Sequence, residues 1–146
     1  MVANPHACGA PRLHHVGFVV ADLEACAPAM ARALLTEWSR EIYTDPLQRV
    51  KVTFLAGGYQ SPLLELVEPL GSDSPVFRFL GEKGGGLHHF CYEVASIPEH
   101  LARIRAGGGI VVSRPKPAVA FGGRPIAWAL TSEKLLLEYL QAVPTA

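Results

Sequence analysis

Apolar and polar positions change over in short runs along this chain, and the runs come in two matching sets. LHHVGFVV (13–20), RVKVTFLAG from Arg49 and LLELVEPL (63–70) form the first set. LHHFCYEV (87–94), RPIAWALTS from Arg124 and LLLEYLQA (135–142) form the second. Their β-branched and aromatic content, bounded by Gly and Pro, predicts strands. After the first strand of each set comes an Ala/Leu/Arg-rich stretch, LEACAPAMARALLTEW from Leu23 and IPEHLARIRAGG from Ile97, which predicts a helix. Asp22 and Ser96 stand where N-caps belong, and Gly107-Gly108-Gly109 where a helix stops.

The two sets are a repeat. His15 and His89 are 74 positions apart, as are Leu23 and Ile97, and Glu65 and Glu138 are 73 apart. Two copies make a fused pair rather than a stacked array. The expected organisation is one domain, 1–146, built from repeats at about 13–70 and 87–142. Residues 71–86, GSDSPVFRFLGEKGGG, read as a connector with one amphipathic turn, VFRFL. Residues 1–11 and 143–146 read as loose ends. The fold class is α+β: strand, helix, then two or three strands, twice over.

Composition narrows what such a fold can do. The chain has 146 residues, 49% of them hydrophobic and 18% charged, with 13 basic and 13 acidic side chains and zero formal charge. Without a basic excess, phosphate-driven nucleic-acid binding is excluded as the main task, and so is charge-driven membrane binding. A chain of this length closes a core without a metal or a disulfide, so a metal would serve chemistry. Cys8, Cys26 and Cys91 are scattered and form no CxxC pair. The opening MVANPHACGAPR lacks the basic-then-apolar pattern of a secretory leader and no apolar run reaches membrane length, so a reducing cytoplasm is the expected location.

The candidate chemistry lies at the matched positions. Each copy opens on a His-His pair, His14-His15 and His88-His89, and closes on an apolar strand interrupted by one acid, Glu65 and Glu138. An ionised carboxylate inside an apolar run is costly unless it is paired or coordinated. If first and last strands are neighbours and the copies curl together, two imidazoles and two carboxylates converge. That donor set suits a divalent ion of borderline hardness (Co, Ni, Zn, Mn or Fe) and leaves two positions for a chelating ligand. Strand alternation sends one His of each pair inward and the other outward, and parity alone does not choose between them.

LHHVGFVVADLE, LLELVEPLGSDSPVFRFL, GGGLHHFCYEV and LLLEYLQ resemble the vicinal-oxygen-chelate superfamily, in its methylmalonyl-CoA epimerase-like and glyoxalase-like branch, over nearly the whole chain. The resemblance implies paired βαβββ modules curled around a metal cavity. It implies His15, Glu65, His89 and Glu138 as the metal ligands, with His14 and His88 behind them or on the back face. It further implies an epimerase or isomerase that forms a metal-stabilised enolate from a small acyl thioester, with Glu138 as ligand and base, and a homodimer. An epimerase needs a second acid on the opposite face of the planar intermediate. RVKVTFLA lacks the Glu that some epimerases carry there, and Glu93, on the His89 face of its strand, is the replacement candidate. A glyoxalase-like lyase acting on a thiol adduct manages with one base and is the alternative. A binding protein of the bleomycin-resistance type commonly lacks the four donors, and ring-cleaving dioxygenases use only three. Arg49, Arg114, Lys116 and Arg124 are candidates to meet an anionic substrate. Cys91, Phe54 and Trp128 are expected to line the core or the cavity.

Overall fold

A computed structural model describes residues 10–58 and 61–144. The elements are β1 (Arg12–Val19), α1 (Leu23–Ala33), β2 (Tyr43–Asp45), β3 (Val50–Leu55), β4 (Leu63–Pro69), α2 (Phe77–Lys83), β5 (Gly86–Val94), α3 (Ile97–Ala106), β6 (Ile110–Val111), β7 (Lys116–Pro117), a 3-10 turn at Val119–Phe121, β8 (Pro125–Leu130) and β9 (Leu136–Gln141). The strands form one curled mixed sheet in the order β2-β3-β4-β1-β5-β9-β8-β6, with β7 beside β8.

The order is symmetric about its middle. In each half the first strand pairs in parallel with the last, β1 with β4 and β5 with β9. The two first strands then pair antiparallel with each other. Parallel neighbours need a crossover, and α1 and α3 provide one on the same side of the sheet in each half. Asp22 caps α1 by accepting from the Ala25 amide at 3.0 Å, and Ser96 caps α3 through Glu99 N at 3.4 Å. Gly107 closes α3, as its glycine run implies. The first helix stops at Ala33, short of the stretch expected to reach Trp38, which instead forms a bridge with Leu55. The connector is more ordered than its turn residues suggest, because VFRFL extends into the seven-residue α2.

Alternation along the last strands explains why they read as unbroken apolar runs. Leu66 packs against the α1 side with Leu23 and Ala27, while Leu137 and Tyr139 pack against Ile97 and Leu101 of α3. The opposite face carries Glu65 and Val67 on β4, and Glu138 and Leu140 on β9. Both faces are buried, so apolar residues fill both parities, and the two acids stand out. Leu66 and Leu140 are fully buried, and Glu65 and Glu138 only 5% and 2% exposed. Helices α1 and α3 thus cover the convex face, and the concave face holds the chemistry.

Cys26 is half-buried and Cys91 buried, both free thiols; Cys8 lies outside the described residues. Among the described residues no helix is long and apolar enough to cross a membrane.

Candidate metal centre

The β1–β5 pairing sets the centre. His15 stands opposite Cys91, and Gly17 stands opposite His89. On the outer neighbours, Gly17 is level with Glu65 and Cys91 with Glu138. Four strands therefore place two imidazoles and two carboxylates around one point on the concave face. Gly17 makes this possible: a Cβ there would sit 1.9 Å from His89 Cε1, so any side chain would occupy the volume of the imidazole. A glycine inside an apolar strand signals this kind of close approach.

The donor atoms of His15, Glu65, His89 and Glu138 all lie within 4.8 Å of one another, and all four residues are buried. His15 Nε2 is 3.2 Å from His89 Nε2. Glu65 Oε2 lies 3.3 Å from His15 Nε2 and 3.2 Å from His89 Nε2. Glu138 Oε2 lies 3.6 and 3.2 Å from the same two nitrogens. Ligands bonded at about 2.1 Å to one ion at right angles would be about 3.0 Å apart, and opposed ligands about 4.2 Å apart. The observed spacings fall in that range, and the imidazole-plus-carboxylate donor set suits a borderline divalent cation. Glu138 Oε1 is buried without any hydrogen-bond partner, an orphan that a cation or a chelated ligand would satisfy. The residues present fit a metal ion.

Electrostatics agree with that arrangement. Burial pulls His15 down, but the Glu65 charge and hydrogen bonds to Cys91, Glu138 and Glu65 outweigh it and leave its pKa well above the usual value. Burial also acts against His89, and hydrogen bonds that it donates to Glu138 and Glu65 raise it. Burial opposes charge on Glu65 and Glu138, but contacts with the two imidazoles hold both carboxyls below the usual range. Four buried ionisable groups thus stabilise one another's charge.

The outer histidines do not behave as strand alternation requires. The β1–β5 register slips between Leu13 and His15, and again across from Gly17/Phe18, where β5 skips from Leu87 to His89. Each slip is a β-bulge, one at His14 and one at His88. A bulge re-aims side chains and breaks the two-residue period. Both histidines of each pair consequently lie on the same side. His14 and His15 both pack against Phe121, and His88 and His89 both line the inner chamber. The expectation that one member of each pair points away is overturned by these bulges, which residue parity cannot show. Within each pair the rings meet through Nδ1, at 2.9 Å for His14–His15 and 3.0 Å for His88–His89. Burial, and then the charge of the neighbouring imidazole, lower His14 and His88 to about 4.

Aromatic rings wall the centre. Phe54 and Trp128, at matched repeat positions, stand edge-on to His15 and His89 at 5.7 and 4.6 Å between centroids. Phe121, which no sequence signal indicated, stacks on His15 at 5.7 Å. Asp45, also unforeseen, anchors the turn that leads to this wall: it accepts from the amides of Leu47, Gln48 and Val119, each at 3.0 Å. An inner chamber of about 50 Å³ is lined by Glu65, His88, His89 and Glu138. An outer cavity of about 390 Å³ shares Gln48, Val50, Val76, His88 and Trp128 with it. Cys91 is fully buried, and burial, followed by the Glu138 charge, pushes its thiol up to about 12, so it is no thiolate.

The remaining candidates lie elsewhere. Glu93 lines neither cavity. Its carboxylate is held by Arg12 at 3.2 Å and by Arg124 at 2.5 Å. Burial opposes its charge, but hydrogen bonds from Arg124 and Arg12 keep its pKa low. Two guanidiniums leave this carboxylate little basicity and direct it away from the centre that its strand parity suggested. Arg124 is further committed to the Gln141 carbonyl, at 2.9 Å from Nε. Arg49 and Lys116 line the outer cavity; Arg114 is exposed and lines neither.

A curled sheet that gathers two imidazoles and two carboxylates from matched strands defines a class. The chain belongs to the Glyoxalase/Bleomycin resistance protein/Dioxygenase superfamily, whose model matches residues 14–128. Within it, the chain is similar to an ethylmalonyl-CoA/methylmalonyl-CoA epimerase of Cereibacter sphaeroides, 34% identical over 116 residues, which are 79% of this chain and 84% of that protein. It is 42% identical over 87 residues to the mitochondrial methylmalonyl-CoA epimerase of Mus musculus; these are 59% of this chain and 47% of that protein, so the match spans about half of the mammalian relative. A Streptomyces coelicolor methylmalonyl-CoA epimerase variant, solved in complex with 2-nitronate-propionyl-CoA, shares the fold with a TM-score of 0.75 at 24% identity, covering 91% of this chain and 98% of that one.

Proposed function

We propose that this protein is a metal-dependent epimerase or isomerase that moves a proton alpha to the carbonyl of a small acyl thioester of the methylmalonyl-CoA type. The observation that carries the reading is the convergence of His15, Glu65, His89 and Glu138 within 4.8 Å beside a cavity. The relatives at 34% and 42% identity, which bear epimerase names, support the substrate class. In this reading residues 13–70 and 87–142 are the two halves of one centre.

His15, Glu65, His89 and Glu138 would hold the ion. A divalent cation held there supplies Lewis-acid stabilisation of the negative charge that develops on a carbonyl oxygen. Glu138 takes the alpha proton through Oε1, the carboxylate oxygen with no other partner. Burial of the chamber keeps bulk water from the carbanion-like intermediate. The outer cavity, with Arg49 and Lys116 on its wall, is placed to receive a phosphorylated carrier arm.

The test is incubation of the metal-loaded protein with methylmalonyl-CoA in heavy water, following alpha-deuterium by mass spectrometry and configuration by chiral analysis. Metal-dependent exchange with inversion is expected. No exchange with any of Co, Ni, Zn or Mn would end the thioester reading.

One observation favours the lyase as a second reading. Among the described residues, the carboxylates lining the chamber are Asp45, Glu65 and Glu138, and Asp45 already accepts three amide hydrogen bonds. A chamber whose only carboxylates not tied to backbone amides, Glu65 and Glu138, both belong to the donor cluster suits proton movement on a single face, as in a glyoxalase-like reaction of a thiol adduct. Exchange without inversion, together with turnover of a hemithioacetal, would select it.

A further inference from the structure

The neck between the outer cavity and the inner chamber is ringed by Val50, Val76 and the indole of Trp128, and by two polar side chains, Gln48 and His88. Gln48 Nε2 is buried with no partner. An unpaired buried amide nitrogen is costly, and it stands where an incoming ligand must pass. His88 is there because of the β-bulge, which turns it to the same side as His89.

Hydrogen-bond direction then fixes what His88 offers. His89 turns Nε2 to the cluster, so with a cation held there its lone pair would be used at Nε2 and the ring proton would reside on Nδ1. That Nδ1–H lies 3.0 Å from His88 Nδ1, which must accept it. A histidine accepting at Nδ1 carries its own proton on Nε2. His88 Nε2 makes no hydrogen bond to any described residue, and the ring lines both cavities. Metal-bound histidines commonly donate their second nitrogen to a carboxylate or carbonyl, where the relay ends. Here the acceptor is another imidazole, and it passes an N–H onward to the neck.

We infer that His88 is a substrate-positioning residue: held by His89 as the Nε2–H tautomer, it joins Gln48 in a donor pair at the neck that selects acyl groups bearing a carboxylate. The inference rests on the thioester reading for its substrate class. Two N–H donors facing one passage favour an anionic oxygen over a hydroxyl or an amide. The chamber of about 50 Å³ admits only a short acyl head. The selected class is therefore a short 2-carboxyacyl thioester rather than its decarboxylated counterpart.

The test separates the two nitrogens of His88 by substitution. His88→Asn keeps an acceptor near the Nδ1 position and removes the neck donor. His88→Gln extends an amide N–H toward the Nε2 position and loses the acceptor. Zinc affinity and the affinities for methylmalonyl-CoA and propionyl-CoA are measured by calorimetry on the zinc-loaded proteins. His88→Asn should leave zinc affinity within about threefold, while the preference for methylmalonyl-CoA over propionyl-CoA falls by about 10- to 100-fold, the range of one hydrogen bond to a charged group. His88→Gln should do the reverse: zinc weakens by about 10- to 100-fold, the usual cost of losing a partner behind a ligand, and the preference survives at saturating zinc. Two variants that weaken both acyl-CoAs alike, or an unchanged preference in His88→Asn, would overturn the inference. Long-range 1H–15N NMR of the zinc protein gives an independent readout: the Nε2–H form of His88 supports the relay, and the Nδ1–H form ends it. If wild type binds neither acyl-CoA, the thioester reading and the substrate class fall together, while the NMR result still decides the relay.

Discussion

The two halves of the centre are built alike and open differently. Each supplies a bulged His-His pair, an aromatic ring edge-on to the inner His, and a Glu on the neighbouring parallel strand. The halves differ at Gly17 and Cys91, which occupy matched positions opposite the imidazole of the other half. They differ again in what covers that imidazole. His15 lies under Phe121 and lines neither cavity, whereas His89 and its neighbour His88 line the inner chamber. Symmetry therefore explains how the four donors meet, and departure from symmetry leaves only one of the two inner imidazoles, His89, on the chamber wall. Glu138 is marked further by Oε1, which is fully buried with no hydrogen-bond partner.

The largest effect expected is on that asymmetry between the acids. Glu138→Gln should lower alpha-deuterium exchange by about 10²–10⁴-fold, the contribution of a positioned base. Glu65→Gln should act mainly through weaker metal retention and recover with excess metal. Equal, unrecoverable losses in both variants would make the two acids equivalent and remove the base assignment. Gly17→Ala comes next: its Cβ would displace the His89 ring, costing about 1–3 kcal/mol of stability by overpacking together with loss of cobalt binding. The mirror change Cys91→Ala removes a thiol without creating a clash and should keep cobalt binding. A cobalt titration followed by visible absorption compares the pair directly.

A smaller effect is set by pH. The raised imidazoles give the metal-free protein stability that is present below their ordinary pKa of 6.5 and is lost as pH rises through their folded values. The lowered carboxyls give stability that is present above their ordinary value of 4.5 and is lost as pH falls through their folded values. Metal-free protein should thus melt highest between these limits and lose a few degrees on the alkaline side. Metal uptake displaces the imidazole protons, so the stabilisation by excess zinc should grow as pH rises. Melting curves with chelator and with zinc, from about pH 5 to 9, show whether the two trends cross. The smallest change expected is in Glu93→Gln. Its lowered pKa contributes stability above the usual carboxylate range, lost as pH falls through the folded value. The partly exposed pair with Arg12 and Arg124 limits the loss to about 1 kcal/mol. Exchange should persist in this variant, because Glu93 lines neither cavity; its disappearance would restore Glu93 as the second acid.

The chain's one-dimensional pattern determined a great deal about this protein. The recurrence of His-His, helix and acid-in-apolar-run settled the duplicated α+β architecture, and it marked two acids and two His-His pairs; only the family resemblance chose His15 and His89 within the pairs. This was legible because burying an acid is so costly that its twofold appearance in apolar strands stands out against ordinary packing. Tertiary structure alone decided the rest. Bulges at His14 and His88 broke the strand period and brought both outer histidines to the side of the inner ones, since strand register depends on the partner strand. Glu93 kept its strand parity but went to Arg12 and Arg124, because parity gives a direction and not a destination. Phe121 and Gln48 reached the centre from turns with no periodicity to read. Gly17 was visible as a glycine within an apolar strand, yet its purpose appeared only with the imidazole facing it across the sheet.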